Sequence, residues 1–131
     1  MKKAQNITEA MDAVKAFFAN YGNVTLGFYQ LAGTQKDGDI FIQPVDLQTV
    51  KSKSVNLLLV LAKDATATNA LDDLLATSES LQQAITNAGK NVNAALGGKL
   101  IQFQETEPAK IIAPESNERV ARALFTLNIK Y

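Results

Sequence analysis

The chain has 131 residues, with 13 Lys and Arg against 13 Asp and Glu, and it contains no His, Cys or Trp. The lack of His and Cys excludes disulfides, the usual metal ligands and the usual nucleophile–base pairs. The length predicts a single domain over residues 1–131, and the zero net charge gives no global field that would attract nucleic acid or an anionic membrane.

The first predicted element is a helix that begins at Asn6. Asn6 and Glu9 have the spacing of a capping box, and apolar residues recur at helical spacing as far as Tyr21. Gly22 is a typical terminator. The start of the chain is amphipathic rather than continuously apolar, so we expect no signal peptide and a protein made in a cytoplasm.

Three strand-like segments follow the helix. Residues 24–31 and 40–45 are rich in β-branched and aromatic residues and are separated by turn residues, so we expect a hairpin. Residues 55–62 read VNLLLVLA, which is apolar on nearly both faces and predicts a central strand covered by helices on at least one side. This run is far shorter than the roughly 20 residues of a membrane helix, so we expect no membrane contact.

The second half of the chain begins with a predicted helix. Thr66 or Thr68 is its expected cap, and its apolar period runs to about Ala88. Residues 91–96 predict a short helical turn, and residues 99–104 predict a strand.

The segment 105–118 contains two prolines and several charges, and predicts an exposed arm or a loose hairpin. The C-terminal residues 121–131 alternate, with apolar side chains on one face and polar ones on the other, which predicts a strand. The order of elements predicts an α+β fold: a mostly antiparallel or mixed sheet of four to six strands, with two main helices packed on one side.

No motif indicates catalysis or a cofactor. Asp37 and Asp39 flank a glycine but lack the further ligands of a calcium loop, and Glu105 and Glu107 lie in a loop without an opposing cleft. Phosphate loops, dinucleotide fingerprints and hydrolase elbows are absent from the sequence. Basic residues are interspersed with acidic ones, so a mixed-charge surface is favoured over a nucleic-acid site. We therefore expect a non-enzymatic protein without metal or cofactor.

The order of elements nevertheless resembles a known family. An amphipathic N-terminal helix precedes a strand pair, and the central VNLLLVLAKD leads directly into LDDLLATSESLQQAI. After a long polar loop the chain ends in ARALFTLNIKY. Over residues 6–131 this layout is similar to the tail terminator, or tail completion, proteins of long-tailed bacteriophages and prophages.

The resemblance implies a structural protein without catalytic residues. Such proteins form a ring, typically a hexamer, at the head-proximal end of the tail tube, where they stop tube growth and join the head connector. It implies assembly in the host bacterial cytoplasm and a place in the virion tail. Candidate subunit or tube contacts come from the last strand, the 105–118 segment and a projecting hairpin tip at residues 33–38, and they are Arg119, Arg122, Lys130, Lys110, Lys36 and Asp37.

Two alternatives stay open. The composition also suits a small cytoplasmic α+β module that binds a ligand or another protein, which requires an apolar pocket with a few convergent polar groups. An enzyme requires a cleft that gathers Asp, Glu, Lys or Tyr side chains.

Overall fold

A computed structural model describes residues 3–29, 35–91, 93–115 and 118–131. Within these ranges two helices and six strands form in chain order. They are α1 (Ile7–Phe18), β1 (Asn23–Leu26), β2 (Asp39–Gln48), β3 (Ser54–Asp64), α2 (Ala70–Gly89), β4 (Gln102–Glu105), β5 (Lys110–Ile112) and β6 (Val120–Lys130).

The six strands form one mixed sheet in the order β1-β2-β3-β6-β4, and β5 also pairs with β6 on the β4 side. All pairs are antiparallel except β1 with β2. The predicted α+β fold is therefore confirmed, and the apolar segment 55–62 is a central strand, as expected.

The hydrophobic core lies on one face of this sheet. Alternate residues of β3 and β6, such as Leu57, Leu59 and Phe125, are fully buried there. The helices cover that face with Val14 and Phe18 from α1 and with an apolar row from α2: Leu74, Leu81 and Ile85. We call this the helix face and the opposite side of the sheet the outer face. The alternation predicted for the last strand is confirmed.

Helix α1 begins as the sequence predicts and ends earlier. The Asn6 side chain accepts a hydrogen bond from the Glu9 amide at 2.9 Å, which is the expected N-cap. The helix stops at Phe18, and the amide of Tyr21 donates to the Phe18 carbonyl in a turn. Tyr21 is consequently 43% exposed, whereas Phe18 is fully buried.

The predicted hairpin between the first two strands is wrong. Strand β1 pairs with β2 in parallel, with Asn23 opposite Asp39 and Leu26 opposite Ile42. A two-strand hairpin reverses direction, whereas the twelve residues 27–38 are long enough for the crossover that parallel strands require. The strand predicted over 24–31 ends at Leu26, and its last two residues lie outside the described ranges.

Several boundaries also differ from the expectation. The N-cap of helix α2 is Asn69 rather than the predicted Thr66 or Thr68, and Asn69 makes no side-chain cap bond. The Thr66 hydroxyl donates to the Asp64 carboxylate at 2.6 Å. The strand predicted at 99–104 occupies Gln102–Glu105. The described part of 91–96 forms turns rather than a helix, and Ala95 bridges Leu100.

The segment 105–118 is not a free arm. Its residues Lys110–Ile112 form β5 and pair with β6 from Leu124 to Arg122. The amide of Thr106 also donates to the Thr126 carbonyl at 2.9 Å. Backbone hydrogen bonds therefore hold the beginning and the middle of this segment to β6, although prolines and charges predict an exposed loop.

Candidate interaction surfaces

Arg122 is the largest fully buried side chain described in the structure, with no exposed surface. It extends from β6 on the outer face, where its Nε donates to Gln35 Oε1 at 2.6 Å and its Nη2 donates to Glu118 Oε2 at 2.5 Å. Glu118 retains 19% of its side-chain exposure. Arg122 therefore does not form a surface contact, contrary to the sequence prediction, because it joins the crossover and the segment before β6 to the sheet.

Tyr29 belongs to the same region of the outer face. Its ring stacks edge-on against Phe41 with 5.6 Å between ring centroids, and its amide donates to Gln43 Oε1 at 2.8 Å. Burial raises the pKa of the Tyr29 phenol, an effect that the positive charge of Arg122 opposes and the charge of Glu118 reinforces. One half of the outer face is thus covered by the chain itself.

The turn at Lys36–Asp39 docks against the sheet instead of projecting from it. The Asp37 carboxylate accepts from the Asp64 amide at 2.8 Å and lies 3.6 Å from Lys63 Nζ. Gly38 has φ of 86°, a conformation that favours glycine, and its amide donates to the Ala62 carbonyl at 2.8 Å. The projecting hairpin tip expected at 33–38 is therefore wrong for residues 36–38, and Gly33 lies outside the described ranges.

The structure brings only some of the predicted contact residues together. Arg119 accepts a hydrogen bond from the Ala65 amide through its carbonyl, so it lies at the same end of the sheet as Asp37. Two hydrogen bonds from Thr66 hold the pKa of the Asp64 carboxyl below its usual value, and the positive charge of Arg119 adds to this effect. Lys110 is exposed on β5, and Lys130 lies at the far end of β6.

The other half of the outer face carries a row of hydrogen-bonded polar side chains. Asn56 donates to Asp46 at 2.7 Å, and Asn128 donates to Asn56 at 2.9 Å. Gln102 donates to Asn128 at 3.2 Å, so the row crosses β2, β3, β6 and β4. No helix covers this half among the described residues. The alternation of the sequence places Asn56 and Asn128 on the face of the sheet opposite the core, yet it does not indicate that their side chains are hydrogen-bonded to each other.

Large apolar side chains are also exposed away from the core. Val45 and Leu47 lie in the second half of β2 and Val50 follows the strand; Phe28, Leu71, Leu75 and Ile111 are exposed elsewhere. The helical period of α2 does not distinguish its exposed leucines from its buried ones, and sequence reasoning missed all of these as surface groups.

The concave features are shallow. A groove of about 330 Å³ lies between α1 and the turn before β4, and its lining includes Ala13, Phe17 and Leu96. Within the described ranges, no group of three or more Asp or Glu side chains is placed to hold a metal ion. None of the helices in those ranges has the length and apolar character needed to cross a membrane.

Comparison of the sequence with models of protein families and with curated proteins finds no match.

Proposed function

We propose that this chain is a non-enzymatic structural protein that resembles the tail terminators of long-tailed phages and prophages. It forms a ring at the head-proximal end of the tail tube, stops tube growth and joins the head connector. In this proposal its partners are further copies of itself, the tube protein and the connector protein. It assembles in the host bacterial cytoplasm and remains in the virion tail.

The observation that carries this proposal is the exposure of apolar side chains at both lateral edges of one sheet. Leu47 on β2 is 54% exposed at one edge, and Ile111 on β5 is 42% exposed at the other. Exposed apolar groups favour burial against another protein. Two different contact surfaces on one chain are what a closed ring of identical subunits requires.

The polar groups support a structural role as well. Asp37 and Asp39 both accept hydrogen bonds within the turn that holds the end of β3, and Glu105 accepts two from Gln82. These carboxylates are therefore engaged in stabilising the fold. The open row offers hydrogen bonds to a partner from Asn56, Asn128 and Gln102, and Asp46 at its β2 end is the one charged member.

Light scattering after size-exclusion chromatography, at several protein concentrations, tests the proposal. The purified chain should form a ring of defined mass, alone or together with the tube protein encoded beside its gene. In electron micrographs, tubes grown in its presence should end in a ring and stop lengthening. A chain that stays monomeric in both conditions and leaves tube length unchanged would refute the proposal.

A binding module is the second candidate, and the groove beside α1 is the observation that favours it. Its lining is mainly apolar and includes Ala16 and Phe17. A screen of small apolar fragments by protein NMR tests this function. Chemical-shift changes confined to the groove residues would support it, and no saturable change would count against it.

A further inference from the structure

The first of two exposed apolar surfaces lies on and just after β2. It consists of Val45, Leu47 and Val50, which are 51%, 54% and 74% exposed. Strand β1 covers the edge of β2 only as far as Ile42, so no strand in the described ranges pairs with that edge beyond it. We call these three residues the β2 surface.

The second surface lies at the opposite edge of the sheet. It consists of Leu71, Leu75 and Ile111, which are 60%, 46% and 42% exposed. Gln82 of α2 donates to Glu105 of β4, so this flank of the helix faces the β4–β5 edge. Leu75 and Leu71 lie two and three turns before Gln82 on the same flank because a helix repeats every 3.6 residues. We call these residues the α2–β5 surface.

The backbone at the β2 surface opposes strand pairing, so its contact must come from side chains. The pairing register with β3 shifts between Pro44 and Asp46, which marks a bulge. Proline lacks an amide donor, and bulges and charges on an edge strand block the addition of a further strand. The apolar side chains that remain exposed there favour packing against another apolar surface.

The charges beside the two surfaces are complementary. Lys51 follows the β2 surface directly, whereas Asp72 follows Leu71 in the first turn of α2, and both charged residues are exposed. A second pair of opposite charges lies on the outer face beside the two surfaces, where Asp46 of β2 accepts a hydrogen bond from Asn56 and Lys110 of β5 pairs with Leu124. Charges of opposite sign can therefore face each other at two places when the β2 surface meets the α2–β5 surface.

We propose that the β2 surface of one copy packs against the α2–β5 surface of the next copy. This inference rests on the proposed ring function and identifies the two sides of its subunit contact. Leu47 pairs with the core-facing Val55, and Ile111 pairs with the core-facing Ala123, so both surfaces lie toward the helix face. Successive copies therefore keep their helices on the same side, and the contact is heterologous, as a closed ring requires.

Two variants that each damage one surface test the contact. Leu47→Glu alters the β2 surface, and Leu75→Glu alters the α2–β5 surface. Both sites are about half exposed, so the fold should tolerate the change, and thermal unfolding of each variant checks this. Phe28→Glu is the matched control, because Phe28 is 87% exposed and belongs to neither surface.

The expected result is specific to a heterologous contact. Each variant alone should associate at least about tenfold more weakly than the wild type, a loss of about 1.4 kcal/mol, because the substitution puts an unpaired carboxylate into an apolar contact. An equimolar mixture should form a dimer and nothing larger, because one intact surface of each kind remains. Phe28→Glu should assemble like the wild type.

Other outcomes separate this inference from the proposed function. Rings that form equally well from either variant would overturn the assigned contact and leave the ring function standing. A mixture without dimers, from variants that are each monomeric, would also overturn the contact. Mixed dimers from a chain that neither binds nor shortens tubes would support the contact and refute the tail function. A wild type that stays monomeric alone and with tube protein would overturn both.

Discussion

Removing the Glu118 carboxylate should destabilise this protein more than removing the arginine that it binds. Arg122 is fully buried, whereas Glu118 is 19% exposed. Glu118→Ala leaves a guanidinium without a counter-ion in a site closed to water, and loss of one partner from a buried pair costs about 3–5 kcal/mol. Arg122→Met leaves a carboxylate that reaches solvent, so we expect a smaller loss of about 1–2 kcal/mol.

The double variant isolates the interaction. In the Arg122→Met background, Glu118→Ala no longer strands a charge, so it should cost less than about 1 kcal/mol. The two changes should therefore be strongly non-additive, as expected for residues in direct contact. Asp37→Asn serves as the control: its ion pair with Lys63 is solvent-exposed, so the change should cost less than about 1 kcal/mol.

Urea unfolding followed by circular dichroism measures the free energy of unfolding of the wild type and of the four variants. Because one kcal/mol corresponds to roughly 3–6 °C for a domain of this size, Glu118→Ala should also lower Tm by about 9–30 °C. Equal losses for Glu118→Ala and Arg122→Met, or an unchanged cost of Glu118→Ala in the Arg122→Met background, would refute the reasoning. Either result would mean that water reaches the guanidinium.

Three further changes test other parts of the structure. Gly89→Ala would place a Cβ 1.9 Å from the Phe103 carbonyl oxygen, so urea unfolding should show a loss of about 1–3 kcal/mol. Gly27→Ala is the control and should change stability little, because the nearest atom to its Cβ, on the Phe41 ring, lies at 3.8 Å. Asn6→Ala removes the cap of α1 and should cost about 1 kcal/mol, measured in the same way; no loss would mean that the cap bond is replaced. Burial raises the pKa of the Tyr29 phenol, so the stability that the neutral phenol contributes should be complete below the unfolded pKa of about 10 and be lost as pH rises through the higher folded pKa. Tyrosinate absorbance should show one late-titrating phenol that Tyr29→Phe removes. A late-titrating phenol that persists in Tyr29→Phe would exclude this assignment.

Local patterns predicted the elements that depend on local physics. The Asn6 cap and the spacing of apolar residues define α1, and the alternation after Val120 defines β6, because each pattern reflects burial against a single neighbouring layer. The run 55–62 is apolar on both faces for two reasons. The helices cover one face, and the crossover region with Arg122 covers part of the other, so Val60 and Ala62 are fully buried there.

The errors concern features that depend on residues distant in sequence. Strands β1 and β2 are neighbours in the chain, and a hairpin is the usual connection for such neighbours, yet the choice of parallel pairing depends on where the crossover packs. The burial of Arg122 depends on Gln35, which lies 87 positions earlier in the chain. Alternation along β6 correctly places Arg122 on the outer face, but it carries no information about what covers that face.

The buried pair and the proposed subunit contact lie in different parts of the sheet, so stability and assembly should vary independently. Arg122 is opposite Ala62 of β3, and Leu47 is opposite Val55. Seven residues of strand separate these two positions, which corresponds to about 23 Å. Effects at sites so far apart usually add. An assembly defect in Leu47→Glu therefore reports on the surface itself, provided that its free energy of unfolding matches that of the wild type.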